Sequence, residues 1–475
     1  MPLDSQLPTK EAARPDWLRD RSWAPWAAVS AVCFGAFMGQ LDASIVTLTY
    51  PALEDEFGAS LGTIQWVSLS YLLVLAALLV PVGRASDARG RKLMYLRGFA
   101  VFTAASAACA AAPSLELLIA FRAVQAAGAA LLQANSIALV TLSVAPTMRR
   151  AALGVQAAAQ AVGLALGPTV GGVMVEHLGW RSVFWVNIPV GVIAIVAGRM
   201  MLPRSRHLQP TVARDRTGFV LLATTATAAL LALSGVSGTN LPVGVTIGLA
   251  ALAVAAGGAL TAVERRATTP LIDPRVLALP GVVLGLGRAF AGYLVLFAPL
   301  VLFPTVFDDW GLDVARGGLV LTWLPAGFAG AAVLGNLLPG RLTNEQRLTG
   351  GAIVSTIAYV VLAFTWRSTF DTAILLVLVG AGLGLALPAN NAAVMSSVPR
   401  SVAAVTGGQV NVARALGTSV GVALTTFGIH VADQLGVAPP AIVLGTLAVI
   451  AGLIAVTTLR AGPVVTVGHD EPLEL

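Results

Sequence analysis

Long runs without charge dominate this 475-residue chain and leave it few ways to fold. Thr63 to Val82, for example, holds no Asp, Glu, Lys or Arg. A run of about twenty such residues spans the roughly 30 Å of hydrocarbon in a bilayer. By that length the sequence predicts helices at 24–47, 62–83, 94–112, 115–141, 151–176, 183–202, 217–236, 242–263, 281–306, 315–338, 347–366, 371–397, 402–427 and 439–460. The expectation is an all-α integral membrane protein with 14 transmembrane helices. Composition excludes a soluble globule: 57% of residues are hydrophobic, 11% are charged and the mean hydropathy is +0.83. Soluble domains run near about a quarter charged.

The remaining charges sit in short connections. Gly83 to Lys92, GRASDARGRK, packs Arg84, Arg89, Arg91 and Lys92 around the single acid Asp87. Loop Lys and Arg are retained on the cytoplasmic face during insertion, so this hinge orients the chain. Arg149-Arg150, Arg204 with Arg206, Arg214 with Arg216 and Arg265-Arg266 then fall on the same side. Glu54, Asp55, Glu56, Asp308, Asp309 and Asp313 fall on the other, with Arg181, Arg316 and Arg367 as exceptions. Trp180, Trp185, Trp310 and Trp366 lie near the outer ends, at the depth interfacial aromatics favour. Both termini are expected in the cytoplasm.

The net charge of +6 is dispersed through loops, so no nucleic-acid partner is expected. Cys33 and Cys109 lie in apolar runs and imply neither disulfide nor metal site. His177, His207, His430 and His469 show no metal spacing. No GxxxxGK[ST] run or nucleophile elbow is present, so ATP-driven transport and enzymatic chemistry are not expected, and no cofactor is implied.

The hinge has an echo. Trp66 precedes Gly83-Arg84 by the interval that separates Trp323 from Gly340-Arg341, and the two tryptophans lie in the second and tenth predicted helices. Internal repeats are a mark of secondary transporters. The expected organisation is a cytoplasmic segment 1–23, a six-helix bundle 24–202, an inserted two-helix region 203–280, a second six-helix bundle 281–460 and a cytoplasmic tail 461–475. The inserted pair carries no charge until Glu264 and reads as a lipid-facing spacer.

Asp42 is the only carboxylate in the middle of a predicted span, where an ionised acid costs several kcal/mol unless paired or hydrated. It reads as a functional site; the alternative is an acid near a helix end that reaches outer water. Arg122 is its natural partner. The first helix runs outward and the fourth inward, which puts both residues in the outer half of the membrane. Ala159, Gly163, Gly167 and Gly171 recur every four residues and line one helix face for close approach, while Pro168 frees the Leu164 carbonyl and predicts a bend. Arg288 and Arg414 lie within the ninth and thirteenth helices; Arg288 is close enough to an end to snorkel. Gln40, Gln125, Asn135, Gln160, Asn390, Asn391, Gln409 and Asn411 add uncharged polar groups for interhelical bonding or a cavity wall.

These residues resemble a known family. GRASDARGRK resembles the loop motif between the second and third helices of the major facilitator superfamily, and GLALGPTVGG is similar to its fifth-helix antiporter motif. QLDASIVTLTYPAL resembles the first-helix motif of the fourteen-helix drug:proton antiporter branch (DHA2-like); WRSVFWVNIPVG and the region from ANNAAVMSSVP to NVARALGTSVG are similar to the same branch. The resemblance implies two six-helix bundles around a central cavity, alternating access and proton-driven export across a bacterial-type cytoplasmic membrane. It implies proton coupling at Asp42 with Arg122, a match of Arg122 and Gln125 to the fourth-helix R-x-x-Q, a bend motif at Gly163, Gly167, Pro168, Gly171 and Gly172, and a cytoplasmic latch at Gly83, Arg84, Asp87, Gly90, Arg91 and Lys92. The latch acid is expected to face the helix starting near Ser401. Thr47, Thr49, Tyr50, Ala126 and Ala134 depart from the family pattern.

The expected function is a monomeric, proton-coupled exporter of amphiphilic small molecules, a multidrug pump. Its substrate cavity draws on Gln40, Gln125, Asn135, Gln160, Arg288, Asn390, Asn391, Asn411 and Arg414. Three span-embedded arginines against one acid favour neutral, zwitterionic or anionic cargo. The alternatives are a dedicated exporter of one endogenous lipid, peptide or secondary metabolite, and a non-transporting receptor or scaffold.

Overall fold

Inside hydrocarbon every backbone N–H and C=O must be satisfied within its own segment, so apolar runs of this length become helices. The computed structural model describes residue 11 and residues 14–19, 21–204, 216–236, 241–267, 279–337, 342–398 and 403–460, and among them there is no strand. The long helices are α1 (Ala24–Ile45, continued by Val46–Thr49 and Tyr50–Phe57), α2 (Trp66–Arg89), α3 (Arg91–Ala110), α4 (Leu115–Ser143), α5 (Arg149–Leu178) and α6 (Asn187–Met201). They are followed by α7 (Arg216–Val236), α8 (Val243–Glu264), α9 (Pro280–Asp309), α10 (Val314–Leu337), α11 (Asn344–Thr365), α12 (Thr369–Ser396), α13 (Ala403–Leu435) and α14 (Pro439–Arg460). Among the described residues 13 helices are long and apolar enough to cross a membrane, which makes this a multi-pass membrane protein. The fourteenth expected span is the helix α7, in which the described side chains give an apolar stretch at Thr217–Leu233.

The hinge is shorter than its charge suggests. Ala85, Ala88 and Arg89 are good helix formers, so α2 runs on to Arg89 and α3 begins at Arg91. Only Gly90 separates them. Its φ of +101° is open to glycine but strained for other residues.

Two helix crossings occur twice. A Cβ on Gly163 of α5 would strike the Phe37 carbonyl of α1, and one on Gly417 of α13 would strike the Phe290 carbonyl of α9. Gly98 of α3 and Gly128 of α4 abut backbone to backbone, as do Gly351 of α11 and Gly382 of α12. Each pair recurs eight helices later. The register of these crossings differs by about one helical turn from the Trp66–Trp323 match. Trp66 is half-buried while Trp323 is 52% exposed, and Gly340-Arg341 lies outside the described residues.

The halves meet along two seams, α2 with α13 and α5 with α10. α7 and α8 pack chiefly on each other, with α7 also touching α2 and α13. Val243, Ile247 and Val254 of α8 are exposed, the face a lipid-bathed helix presents. At the distal end, away from the hinge, Trp310 stacks on Trp366. Trp180 is buried there and donates to Glu56 at 2.6 Å, a packed role in place of the interfacial one its position suggests.

Candidate functional site

Five helices of the first half converge on Asp42. It sits near the end of Ala24–Ile45 and is 0% exposed; Arg122 of α4 is 1% exposed. Arg122 Nη1 donates to Asp42 Oδ2 at 2.7 Å, while Gln125 Nε2 and Asn187 Nδ2 donate to Oδ1 at 3.0 and 3.1 Å. Arg122 also donates through Nε to the Val67 carbonyl of α2 at 3.0 Å and through Nη1 to Gln125 Oε1 at 2.6 Å. Gln125 Nε2 reaches Ser106 Oγ of α3 at 2.7 Å. Removing two ions from water costs several kcal/mol each, offset only when pairing is close and the remaining lone pairs and protons find partners. Here both carboxylate oxygens do. All the donors are arranged for the ionised acid, so a proton arriving on Asp42 must break the arrangement.

A cavity lies between the halves. It measures about 280 Å³ and is lined by Gln40 of α1, Gln133 of α4, Gln156 and Gln160 of α5, and Asn411 and Arg414 of α13. Leu153, Gln156 and Gln160 belong to the first turns of α5, so the hollow occupies the hinge-side half. A smaller extension is lined by Tyr71, Tyr293 and Arg414. The Arg122 guanidinium lies 4.3 Å from the centre of the Tyr71 ring, so Tyr71 separates the charge pair from the hollow. Its hydroxyl is buried and has no partner among the described residues.

The distal half is shut. A Cβ on Gly172 would come 2.6 Å from the Val314 carbonyl, and one on Gly318 would strike the Pro168 carbonyl. Thr169 and Thr322 meet hydroxyl to hydroxyl, and Glu176 Oε2 accepts the Ala315 N–H at 2.8 Å. The small-residue run of α5 therefore serves two neighbours: Gly163, Gly167 and Gly171 face α1, while Pro168 and Gly172 face α10. The helix continues unbroken through Pro168.

This shape has relatives. A family model described as Major Facilitator Superfamily matches residues 32–422. The chain belongs to that superfamily. The cephamycin export protein CmcT of Amycolatopsis lactamdurans is 34% identical over 419 residues, 84% of this chain and 83% of that one. The tetracenomycin C resistance and export protein of Streptomyces glaucescens is 30% identical over 425 residues, 87% of this chain and 77% of that one. A crystal structure of an auto-inhibited POT family peptide transporter matches with a TM-score of 0.66 at 15% identity, covering 94% of this chain and 98% of that one, a likeness of fold alone.

Within this superfamily member the sequence candidates part company. Gln40, Gln160, Asn411 and Arg414 line the hollow. Gln125 belongs to the Asp42 cluster, and Asn135 donates to Ser86 of α2 at 2.9 Å. Arg288 does not line the hollow; it turns within the second half and donates to Thr457 Oγ1, near the C-terminal end of α14, at 3.2 Å. Asn390 donates to the Gly285 carbonyl at 2.8 Å; neither it nor Asn391 lines this hollow. Gln133, Gln156, Tyr71 and Asn187 were missed. Asn187 stands in WRSVFWVNIPVG, a run already marked by its family likeness, which was the available signal.

At the hinge, Asp87 pairs with Arg91 one turn on; residues 399–402, where the expected partner helix starts, lie outside the described residues. Lys92 Nζ donates to the carbonyls of Arg199 and Leu202 at 2.8 and 2.7 Å, capping the end of α6. Glu11 accepts the Leu93 N–H at 3.0 Å and Arg14 donates to the Met201 carbonyl at 2.7 Å, which ties the segment before α1 to the same place. Gly83 has open space around it. The side chain of Arg84 is outside the described set.

Proposed function

We propose that this chain is a proton-coupled exporter of amphiphilic small molecules working by alternating access. One observation carries the reading: a carboxylate fully removed from water, held by three donors from two neighbouring helices and screened by one tyrosine from a hollow between two halves. An acid so placed is a default functional site. Its protonation abolishes the ion pair, frees Arg122 and loosens α1 from α4 and α6, the elements whose packing sets the first half. Cargo in the hollow and a proton on Asp42 then favour opposite faces of the membrane.

Export is the direction printed in the names of the cephamycin and tetracenomycin C relatives. The hinge carries the basic residues that membrane insertion retains in the cytoplasm, so the hollow belongs to an inward-facing state and both termini are cytoplasmic. The transporting unit is the monomer, two six-helix bundles with α7 and α8 as an inserted, lipid-facing pair. A dedicated exporter of one compound is the second reading, favoured by those two relatives, each named for a single compound.

Efflux from everted vesicles tests the proposal. Imposing a pH gradient should drive cargo movement in the wild type, and Asp42→Asn should reach the membrane yet lose it. Gradient-driven efflux that survives the substitution would sink the mechanism.

A further inference from the structure

Arg414 is the one formal charge among the described residues lining the hollow and its extension. No described carboxylate pairs with it; its guanidinium instead lies 4.6 Å from the centre of the Tyr293 ring. Asp42 cannot serve as counter-charge, because it is 0% exposed and held by Arg122. Around Arg414 are amides, those of Gln40, Gln133, Gln160 and Asn411, which offer dipoles and no charge. Arg288 does not share this space, since it is bonded to Thr457.

A cation in a partly desolvated hollow attracts the opposite charge strongly. Tyr293 covers one face of the planar guanidinium through a cation–π contact, which leaves the N–H edges for a ligand. Those edges match two oxygens of a carboxylate side by side. Leu132, Ile137 and Leu153 supply apolar wall in the same hollow.

We propose that Arg414 is the anchor for a carboxylate on the transported molecule, so that the cargo is an organic anion with an apolar body. This rests on the export reading for what happens after binding, but binding itself is testable without a gradient. The amides orient the carboxylate, and the apolar wall takes the rest. A cationic amphiphile finds no partner here and meets Arg414 with like charge.

The test is calorimetry on the purified full chain in detergent with 2-naphthoate and its neutral isostere 2-naphthamide. The wild type should bind naphthoate at least about tenfold more tightly, the scale of a charge-assisted hydrogen-bond pair. Arg414→Gln should erase the preference while keeping affinity for naphthamide within about threefold, and Arg414→Lys should restore part of it. Equal affinities in the wild type, failure of both probes to bind at millimolar concentration, or a preference that persists in Arg414→Gln would overturn the proposal. The wild-type comparison stands even if a variant fails to fold. Loss of gradient-driven efflux with the naphthoate preference intact would instead sink the export reading and leave this one standing.

Discussion

The two halves share a skeleton and differ sharply around Asp42. Phe37 and Asp42 are spaced as Phe290 and Val295 are, so the shared crossings put Val295 where the first half has Asp42. By the same register Leu376 stands for Arg122, Val379 for Gln125 and Tyr359 for Ser106. Leu376, Val379 and Val295 are buried, and the Tyr359 hydroxyl donates to the Val295 carbonyl at 2.7 Å. One half thus spends this position on a charge cluster, the other on an apolar core with a single neutral bond. The second half makes the same crossings with no charge at this position, so the crossings themselves do not require one.

The largest effect should come from converting one half into the other. Asp42→Val combined with Arg122→Leu should lose about 100-fold in gradient-driven vesicle efflux, since the ionisable group is gone. Its thermal stability in detergent should stay within about 2 kcal/mol of the wild type, because well-packed apolar pairs replace buried ion pairs with little loss. Arg122→Leu alone leaves a buried carboxylate unpaired and should cost about 3–5 kcal/mol in the same unfolding assay. Were the double variant as unstable as the single, the charges would be structural and the comparison would fail.

The skeleton itself should respond alike on both sides. Gly163→Val and Gly417→Val each force a side chain onto a backbone carbonyl and should each destabilise by about 1–3 kcal/mol, read as matched shifts in melting temperature. Smallest of all, Tyr359→Phe should cost about 0.5–1.5 kcal/mol, the net worth of one buried hydrogen bond, with efflux unchanged. A transport defect in Tyr359→Phe would mean that the second half has a hidden coupling role.

Much of this was legible beforehand for physical reasons. Hydropathy and loop charge set helix positions, and the direction of each helix put Asp42 and Arg122 at one depth, so their pairing could be anticipated. Arg288 and Arg414 were harder. Both are arginines inside spans, yet one faces Thr457 and the other the hollow. Each residue turns a helix by about 100°, so a small error in helical phase exchanges core for cavity. Asn187 was invisible as a ligand of Asp42 because the contact spans 145 positions and depends on how α6 meets α1. The hinge reads as a loop from its glycines and charges, although α2 and α3 carry every residue of it but Gly90.

Arg414 also has an electrical consequence. An anion leaving as one proton enters would move two unit charges in the same sense at every turnover. Each is worth about 2.3 kcal/mol per 100 mV, so an interior-negative voltage would contribute roughly 4.6 kcal/mol per 100 mV to the cycle even with no pH difference. A pump built on this hollow would run on voltage as readily as on acidity.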